Sequence, residues 1–109
     1  MRTYTHYEDN GHGWIAVKLT ELDELGIADK ISAYSYLRGH TAYLEEDMDA
    51  GTWIAAYEAR HGEKPTIVNK YCYGRSHIRS YSGYPSALKS PDYVFDAAGM
   101  QAVKDFISA

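Results

Sequence analysis

Two turns that contain glycine constrain the fold of this chain most. They are Asn10-Gly11 and Arg38-Gly39-His40, and glycine and asparagine readily adopt the positive φ that tight hairpin turns require. Strand-like residues flank the two turns at Thr3–Tyr7, Trp14–Val17, Ile31–Leu37 and Thr41–Glu45. The sequence therefore predicts two hairpins, and Tyr34 and Tyr36 are expected to share one face of the second because strand side chains repeat every two residues.

Helical patterns separate and follow these hairpins. Leu19–Leu25 spaces its leucines by three, with Thr20 as the expected cap and Gly26 as the stop. A clearer helix contains Trp53, Ile54, Tyr57 and His61, begins at Asp47 or Asp49, and ends at Gly62. We expect whichever aspartate begins the helix to cap its backbone N–H groups.

The remainder of the chain resembles further strands and a last helix. Thr66–Tyr73 is predicted as a strand that Gly74 breaks, followed by an extended piece from Ser76 to Tyr84 and a surface loop over residues 85–91. A short strand at Tyr93–Phe95 and a helix from Asp96 to Ile107 complete the pattern. We predict an α+β fold in which an antiparallel sheet of hairpins carries two or three helices on one face, as a single compact domain over residues 1–109.

Composition excludes several classes of protein. No run of residues approaches the length of a membrane span, and the N-terminal residues lack the apolar stretch of a secretory signal, so a cytoplasmic protein is expected. A single cysteine, Cys72, excludes an internal disulfide and a multi-cysteine zinc site, and we expect it to be a small buried residue.

Charge and tyrosine are unevenly distributed. Residues 1–64 carry 12 acids and 6 bases, whereas residues 65–91 carry four bases and no acid. Eleven tyrosines occur in 109 residues, and tyrosine suits interfaces because it joins a large apolar ring to a hydrogen-bonding tip. The pattern indicates a polar binding surface.

The sequence matches parts of three kinds of chemical site. Asp47, Asp49 and Glu58 match part of a calcium loop, but Glu58 falls in the predicted helix. The five histidines lack the spacing of established zinc motifs, and no metal or cofactor is predicted. His12 between two glycines is suited to proton transfer, although Gly-His-Gly is also a common tight turn.

Several stretches together resemble a group of small bacterial proteins of phages, plasmids and other mobile elements. They are Asn10–Trp14, Ile31–Tyr36, Tyr43–Ala50 and Ile78–Tyr81, which span roughly residues 9–81. In that group a cysteine is expected where this chain has Met48, which argues against a required thiol here. The resemblance brings no activity or functional residue with it. It implies an accessory role, for which inhibition of a host defence system is a common solution.

The leading hypothesis is a non-enzymatic interaction protein of a mobile element, such as an inhibitor of CRISPR interference, that binds a protein of a host defence complex. Its expected contact residues are Tyr34, Tyr36, Tyr43, Glu45, Glu46, Arg75, Arg79 and Tyr81. One alternative is a small hydrolase or nucleotide-acting enzyme that uses His12 or His40 with Glu45, Glu46 or Asp47. Another is a weak single-stranded nucleic-acid binder through residues 70–84, which interleave aromatic and basic residues.

Overall fold

A computed structural model describes residues 3–85 of the chain. These residues form six strands, two α-helices and two 3₁₀ turns. In chain order the elements are β1 (Thr3–Glu8), β2 (Gly13–Lys18), α1 (Leu19–Glu24), a 3₁₀ turn (Ala28–Lys30), β3 (Tyr36–Arg38), β4 (Thr41–Glu45), α2 (Ala50–His61), β5 (Thr66–Tyr71), a 3₁₀ turn (His77–Ser80) and β6 (Ser82–Gly83). The predicted α+β class is confirmed.

The strands make one sheet in the order β5-β1-β2-β4-β3-β6. Both predicted hairpins are present, as the antiparallel pairs β1–β2 and β3–β4. One pairing departs from the predicted antiparallel sheet, because β5 runs parallel to β1 along its whole length. The chain leaves β4, runs through α2 and returns at the far edge of the sheet, and such a crossover is what a parallel neighbour requires.

Both α-helices pack on the same face of the sheet, as predicted. Alternate residues of the central strands point into this core, together with Leu22 of α1 and Trp53 of α2. Tyr4 meets Trp53 edge to face, with ring centroids 4.7 Å apart. We call the opposite side the tyrosine face, because strand alternation places there Tyr7, Trp14, Tyr36, Arg38, Tyr43 and Lys70.

The segment before β3 is not a strand. Ile31–Leu37 was predicted to be extended, but only Tyr36–Arg38 is paired, and residues 33–35 form a turn. Asp49 explains this difference, because it accepts hydrogen bonds from the backbone N–H and hydroxyl of Ser32 and from the hydroxyl of Ser35. These bonds offer the backbone an alternative to a sheet ladder. The prediction that Tyr34 and Tyr36 share a strand face is therefore wrong.

The predicted helix stops are confirmed, but the predicted caps are wrong. Gly26 and Gly62 follow the two helices with φ of 72° and 78°. Thr20 lies inside α1, which begins at Leu19. Asp49 stands at the N-cap position of α2 without making a side-chain cap, because its carboxylate is bonded to the two serines.

The last part of the described chain departs further from expectation. Cys72 is exposed rather than buried, because it lies beyond the end of β5, which is an edge strand. The piece predicted to be extended from Ser76 to Tyr84 contains a 3₁₀ turn and only two strand residues. The loop over residues 86–91, the strand Tyr93–Phe95 and the helix Asp96–Ile107 lie outside the described residues, and the single domain over residues 1–109 stays a prediction. Within residues 3–85, no helix has the length and apolar character needed to cross a membrane.

Candidate functional site

An ion pair organises one end of the sheet. The Asp9 carboxylate accepts hydrogen bonds from Nε and Nη2 of Arg79 at 2.7 and 2.9 Å, and from the backbone N–H groups of Gly11, His12 and Ser76 at 2.9–3.0 Å. The Arg79 guanidinium, helped by the three N–H groups, holds the pKa of Asp9 far below its usual range despite burial. Asp9 in turn raises the pKa of Arg79. The pair fixes the loop of residues 9–13 against the 3₁₀ turn His77–Ser80.

Arg79 also covers the indole of Trp14. Its guanidinium carbon lies 5.3 Å from the ring centroid, a cation–π distance, and Trp14 meets Tyr36 at 6.1 Å. Arg79 was predicted to contact a partner, but its Nε and Nη2 both donate hydrogen bonds to Asp9. Arg75 is exposed and lines a shallow cavity beside Asn10 and Gly74.

A groove of about 410 Å³ crosses the tyrosine face. We call it the tyrosine groove, and its lining residues are Tyr7, Tyr43, Lys70, Tyr71, Cys72, Ser76, His77, Ile78 and Tyr81. Tyr43 contacts Tyr7 at 6.3 Å and Tyr81 at 5.1 Å between ring centroids, and Arg38 lies 4.9 Å above Tyr81. Burial raises the pKa of the Tyr43 hydroxyl. Among the described residues, the lining contains aromatic rings and Lys70 but no carboxylate.

A second pocket, of about 380 Å³, lies on the same face next to the 9–13 loop. We call it the carboxylate pocket, and its lining residues are His12, Trp14, Tyr34, Tyr36, Glu45, Asp47, Met48 and Arg79. Glu45 is buried, and its Oε2 accepts the backbone N–H groups of Asp47 and Met48, both at 2.9 Å. Its Oε1 lies 3.5 Å from Nδ1 of His12.

Glu46 belongs to the other side of the sheet. Its Oε2 lies 3.2 Å from Nε2 of His6, whose Nδ1 lies 3.0 Å from the amide oxygen of Asn69. A Cβ atom at Gly13 would come within 2.4 Å of His6 Nε2 and 2.6 Å of Glu46 Oε2, so glycine allows this close approach. The acidic run 45–47 is therefore divided between two faces, because successive strand residues alternate.

The structure brings together most of the residues predicted to bind a partner. Tyr36, Tyr43, Glu45, Arg79 and Tyr81 lie on the tyrosine face. Tyr34, 66% exposed, stands at the edge of the carboxylate pocket. Glu46 and Arg75 line neither of these two cavities. His12 lies beside Glu45 and Asp47, whereas His40 lies in the β3–β4 turn.

Three contributors to this face were not among the predicted protein-contact residues. Tyr7 and Lys70 come together through the parallel β1–β5 pairing, which the sequence did not predict. Asp9 immediately precedes Asn10-Gly11, and an aspartate there commonly accepts the N–H groups of its own turn, so this signal was present. No protein-family model, curated protein or solved structure matches the chain.

Proposed function

We propose that the protein is a non-enzymatic interaction module that binds a segment of another protein in the tyrosine groove. The observation that carries this proposal is the floor of mutually packed tyrosine rings bordered by cations. Tyrosine and arginine are enriched in the parts of interfaces that contribute most binding energy. Because Tyr43 is already packed between Tyr7 and Tyr81, little rotamer freedom is lost when a partner binds.

The charges at the groove define the partner. Lys70 is exposed and lines the groove, Arg38 covers Tyr81, and none of the lining residues within 3–85 carries a carboxylate. A segment that carries acidic residues beside an aromatic or aliphatic side chain complements this surface.

Nucleic acid is less well matched to the same groove. The ring planes of Tyr7 and Tyr81 are tilted by 55° and 58° from that of Tyr43, so the rings do not form a flat platform for stacked bases. Arg79, which would add phosphate affinity, is held by Asp9. Within the described part of the chain, Lys70 and Arg38 are the cations at the groove, so its attraction for a phosphate backbone is small.

The proposed biological setting goes beyond what the groove supports by itself. We infer a cytoplasmic protein of a mobile element whose partner is a component of a host defence complex. This part of the proposal is supported by the resemblance of residues 9–81 to proteins of phages and plasmids, and the groove supports only the binding of a protein segment.

The test is capture of partners from bacterial lysate with matched variants. Lys70→Glu reverses a charge in the groove and Tyr81→Ala removes part of its aromatic lining, whereas Lys64→Glu makes the same charge change in the exposed loop after α2. We expect wild-type protein and the Lys64 variant to capture the same partner in stoichiometric amount. Lys70→Glu and Tyr81→Ala should lose it while unfolding at urea concentrations close to that of wild type.

Two results contradict the proposal. Equal capture by all four proteins would place the interface elsewhere. The second is measured by the fluorescence anisotropy of a labelled single-stranded oligonucleotide. Submicromolar binding at low salt, abolished by Lys70→Glu, would assign the groove to nucleic acid.

One observation favours a second candidate, a small hydrolase or nucleotide-acting enzyme. His12, a residue suited to acid–base chemistry, has its Nδ1 3.5 Å from Oε1 of the buried Glu45 within a concave pocket, and hydrogen bonds between catalytic groups are often this long before a substrate binds. Turnover of p-nitrophenyl phosphate or of nucleotides that His12→Ala abolishes and His40→Ala preserves would support it. Activity unchanged in His12→Ala would reject it.

A further inference from the structure

We propose that His12, Glu45 and Asp47 form a binding site for a divalent transition-metal ion of the Zn²⁺ type. One nitrogen or carboxylate oxygen from each side chain lies within 4.8 Å of the others. The site is independent of the tyrosine groove, since none of these three residues lines it.

The distance between the two best-placed ligand atoms fits a metal ion. Nδ1 of His12 and Oε1 of Glu45 are 3.5 Å apart, which is long for a hydrogen bond. In a tetrahedral site with bonds of about 2.1 Å, neighbouring ligand atoms lie about 3.4 Å apart. The separation of these two atoms therefore already matches that of two ligands of one tetrahedral ion.

Glu45 presents one oxygen to the pocket in a fixed orientation. Its side chain is 9% exposed, and its Oε2 is anchored by the backbone N–H groups of Asp47 and Met48. Oε1 is left directed toward His12. A carboxylate that is buried, oriented through one oxygen and offered through the other has the arrangement of a metal ligand supported by its neighbours.

Asp47 completes the set from the exposed side. Its backbone N–H is tied to Glu45, so the turn after β4 holds the two carboxylates on the same side of the chain. The Asp47 side chain is exposed, and one of its oxygens lies within 4.8 Å of the other two ligand atoms. The pocket of about 380 Å³ leaves space for a fourth ligand such as water.

The ligand types select the class of ion. One imidazole and two carboxylates suit Zn²⁺ and other first-row divalent ions, whereas Ca²⁺ requires about six to eight oxygen ligands and Mg²⁺ near-octahedral oxygen coordination. The aspartate that a calcium loop would need, Asp49, is instead turned inward onto Ser32 and Ser35.

The second cluster, His6 with Glu8 and Glu46, is a poorer site. Both ring nitrogens of His6 already have partners, in Asn69 and Glu46, at hydrogen-bonding distance. The cluster also lies directly over Gly13, where even a Cβ atom would be 2.4 Å from His6 Nε2. Glu46 of this cluster therefore provides an internal comparison for metal binding.

The test is titration of untagged protein with Zn²⁺ by calorimetry, with Ca²⁺ and Mg²⁺ in parallel. We expect one Zn²⁺ per chain, and affinity at least about tenfold lower in His12→Ala and in Asp47→Asn, since each removes one of three ligands. Both residues are exposed, so these variants should fold. His40→Ala, the matched change of an exposed histidine in another turn, should bind as wild type does.

Three results would overturn the site. They are no heat of binding up to millimolar Zn²⁺, unchanged affinity in both His12→Ala and Asp47→Asn, and loss of binding in Glu46→Gln with retention in His12→Ala. The last would transfer the ion to the His6 cluster. Lys70→Glu should bind Zn²⁺ normally, so failure of the interaction proposal and failure of the metal site can be told apart.

Discussion

Replacement of Asp9 by asparagine tests whether the ion pair with Arg79 holds the loop of residues 9–13 and the 3₁₀ turn His77–Ser80 together. The change keeps the shape of the side chain but turns one oxygen into an NH₂ group. If that group takes the Oδ2 position, it points its hydrogens at Nε of Arg79 and at the backbone N–H of Ser76, which are both donors. The remaining oxygen keeps its bonds but loses its charge.

The expected cost follows from burial. The Asp9 side chain is 1% exposed, whereas that of Arg79 is 26% exposed and can be rehydrated when its partner is lost. Breaking a buried ion pair costs about 3–5 kcal/mol, and a buried unsatisfied N–H such as that of Ser76 costs about 1–3 kcal/mol by itself. We place Asp9→Asn at the lower end, about 3 kcal/mol of unfolding free energy, which is a large fraction of the stability of a small domain.

Urea unfolding followed by tryptophan fluorescence measures this loss. Trp14 lies beneath Arg79, so its emission reports the same region. The matched control is Asp29→Asn, because Asp29 is 56% exposed and is 3.9 Å from Lys30. That variant should change stability by less than about 0.5 kcal/mol. A loss below about 1 kcal/mol for Asp9→Asn, with an unchanged dependence on urea, would refute the assigned role of the pair.

Three further predictions concern the same region and its surroundings. The pKa of Asp9 is lowered in the folded state, so its contribution to stability is complete above the unfolded-state pKa of about 3.9 and declines as pH falls below it. The stability difference between wild type and Asp9→Asn, measured by urea titration, should therefore stay constant from pH 5 to 7 and narrow below about pH 4. Gly13→Ala should lower the free energy of unfolding by about 1–3 kcal/mol, because the added Cβ meets His6 and Glu46. Gly51→Ala, which has open space around it inside α2, should raise it by up to about 1 kcal/mol. Equal effects of the two changes in thermal unfolding would contradict this prediction. Asp49→Ala should lower the free energy of unfolding by about 2 kcal/mol, because it removes the hydrogen bonds to Ser32 and Ser35. Asp47→Ala should lower it by less than about 0.5 kcal/mol in metal-free buffer. The reverse order would restore a capping role for Asp47.

Local signals in the sequence predicted much of the fold. Thr41–Glu45 forms the predicted strand residue for residue, and Gly26 and Gly62 end the helices with the left-handed backbone that glycine permits. These elements depend on alternation and turn chemistry, which neighbouring residues determine. Tertiary hydrogen bonds decided the elements that were predicted wrongly. Asp49 captures Ser32 and Ser35 across 14 to 17 residues and so prevents a strand that local propensity favours.

The same difference between local signals and tertiary contacts applies to the candidate site. The sequence identified His12, Glu45 and Asp47 as residues capable of chemistry, and the structure brings them together because the 9–13 loop and the β4–α2 turn lie at the same end of the sheet. It did not identify Tyr7 and Lys70 as neighbours, because their contact arises from a parallel pairing between residues more than 60 positions apart. Contacts at such separation leave no periodicity in the sequence.

Arg79 determines how the two proposals relate to each other. If its guanidinium were free, it would place a positive charge at the carboxylate pocket, where it would oppose a cation and attract an anion. Asp9 instead binds that charge through two hydrogen bonds and buries its own carboxylate in doing so. The pair is close to neutral as seen from the pocket, so the charges of Glu45 and Asp47 dominate there and favour a cation. Asp9→Asn should therefore weaken Zn²⁺ binding even though Asp9 is not among the three proposed ligands, because it leaves Arg79 with an uncompensated charge next to the site. Unchanged Zn²⁺ affinity in a folded Asp9→Asn protein would show that the pair does not influence the field in the pocket.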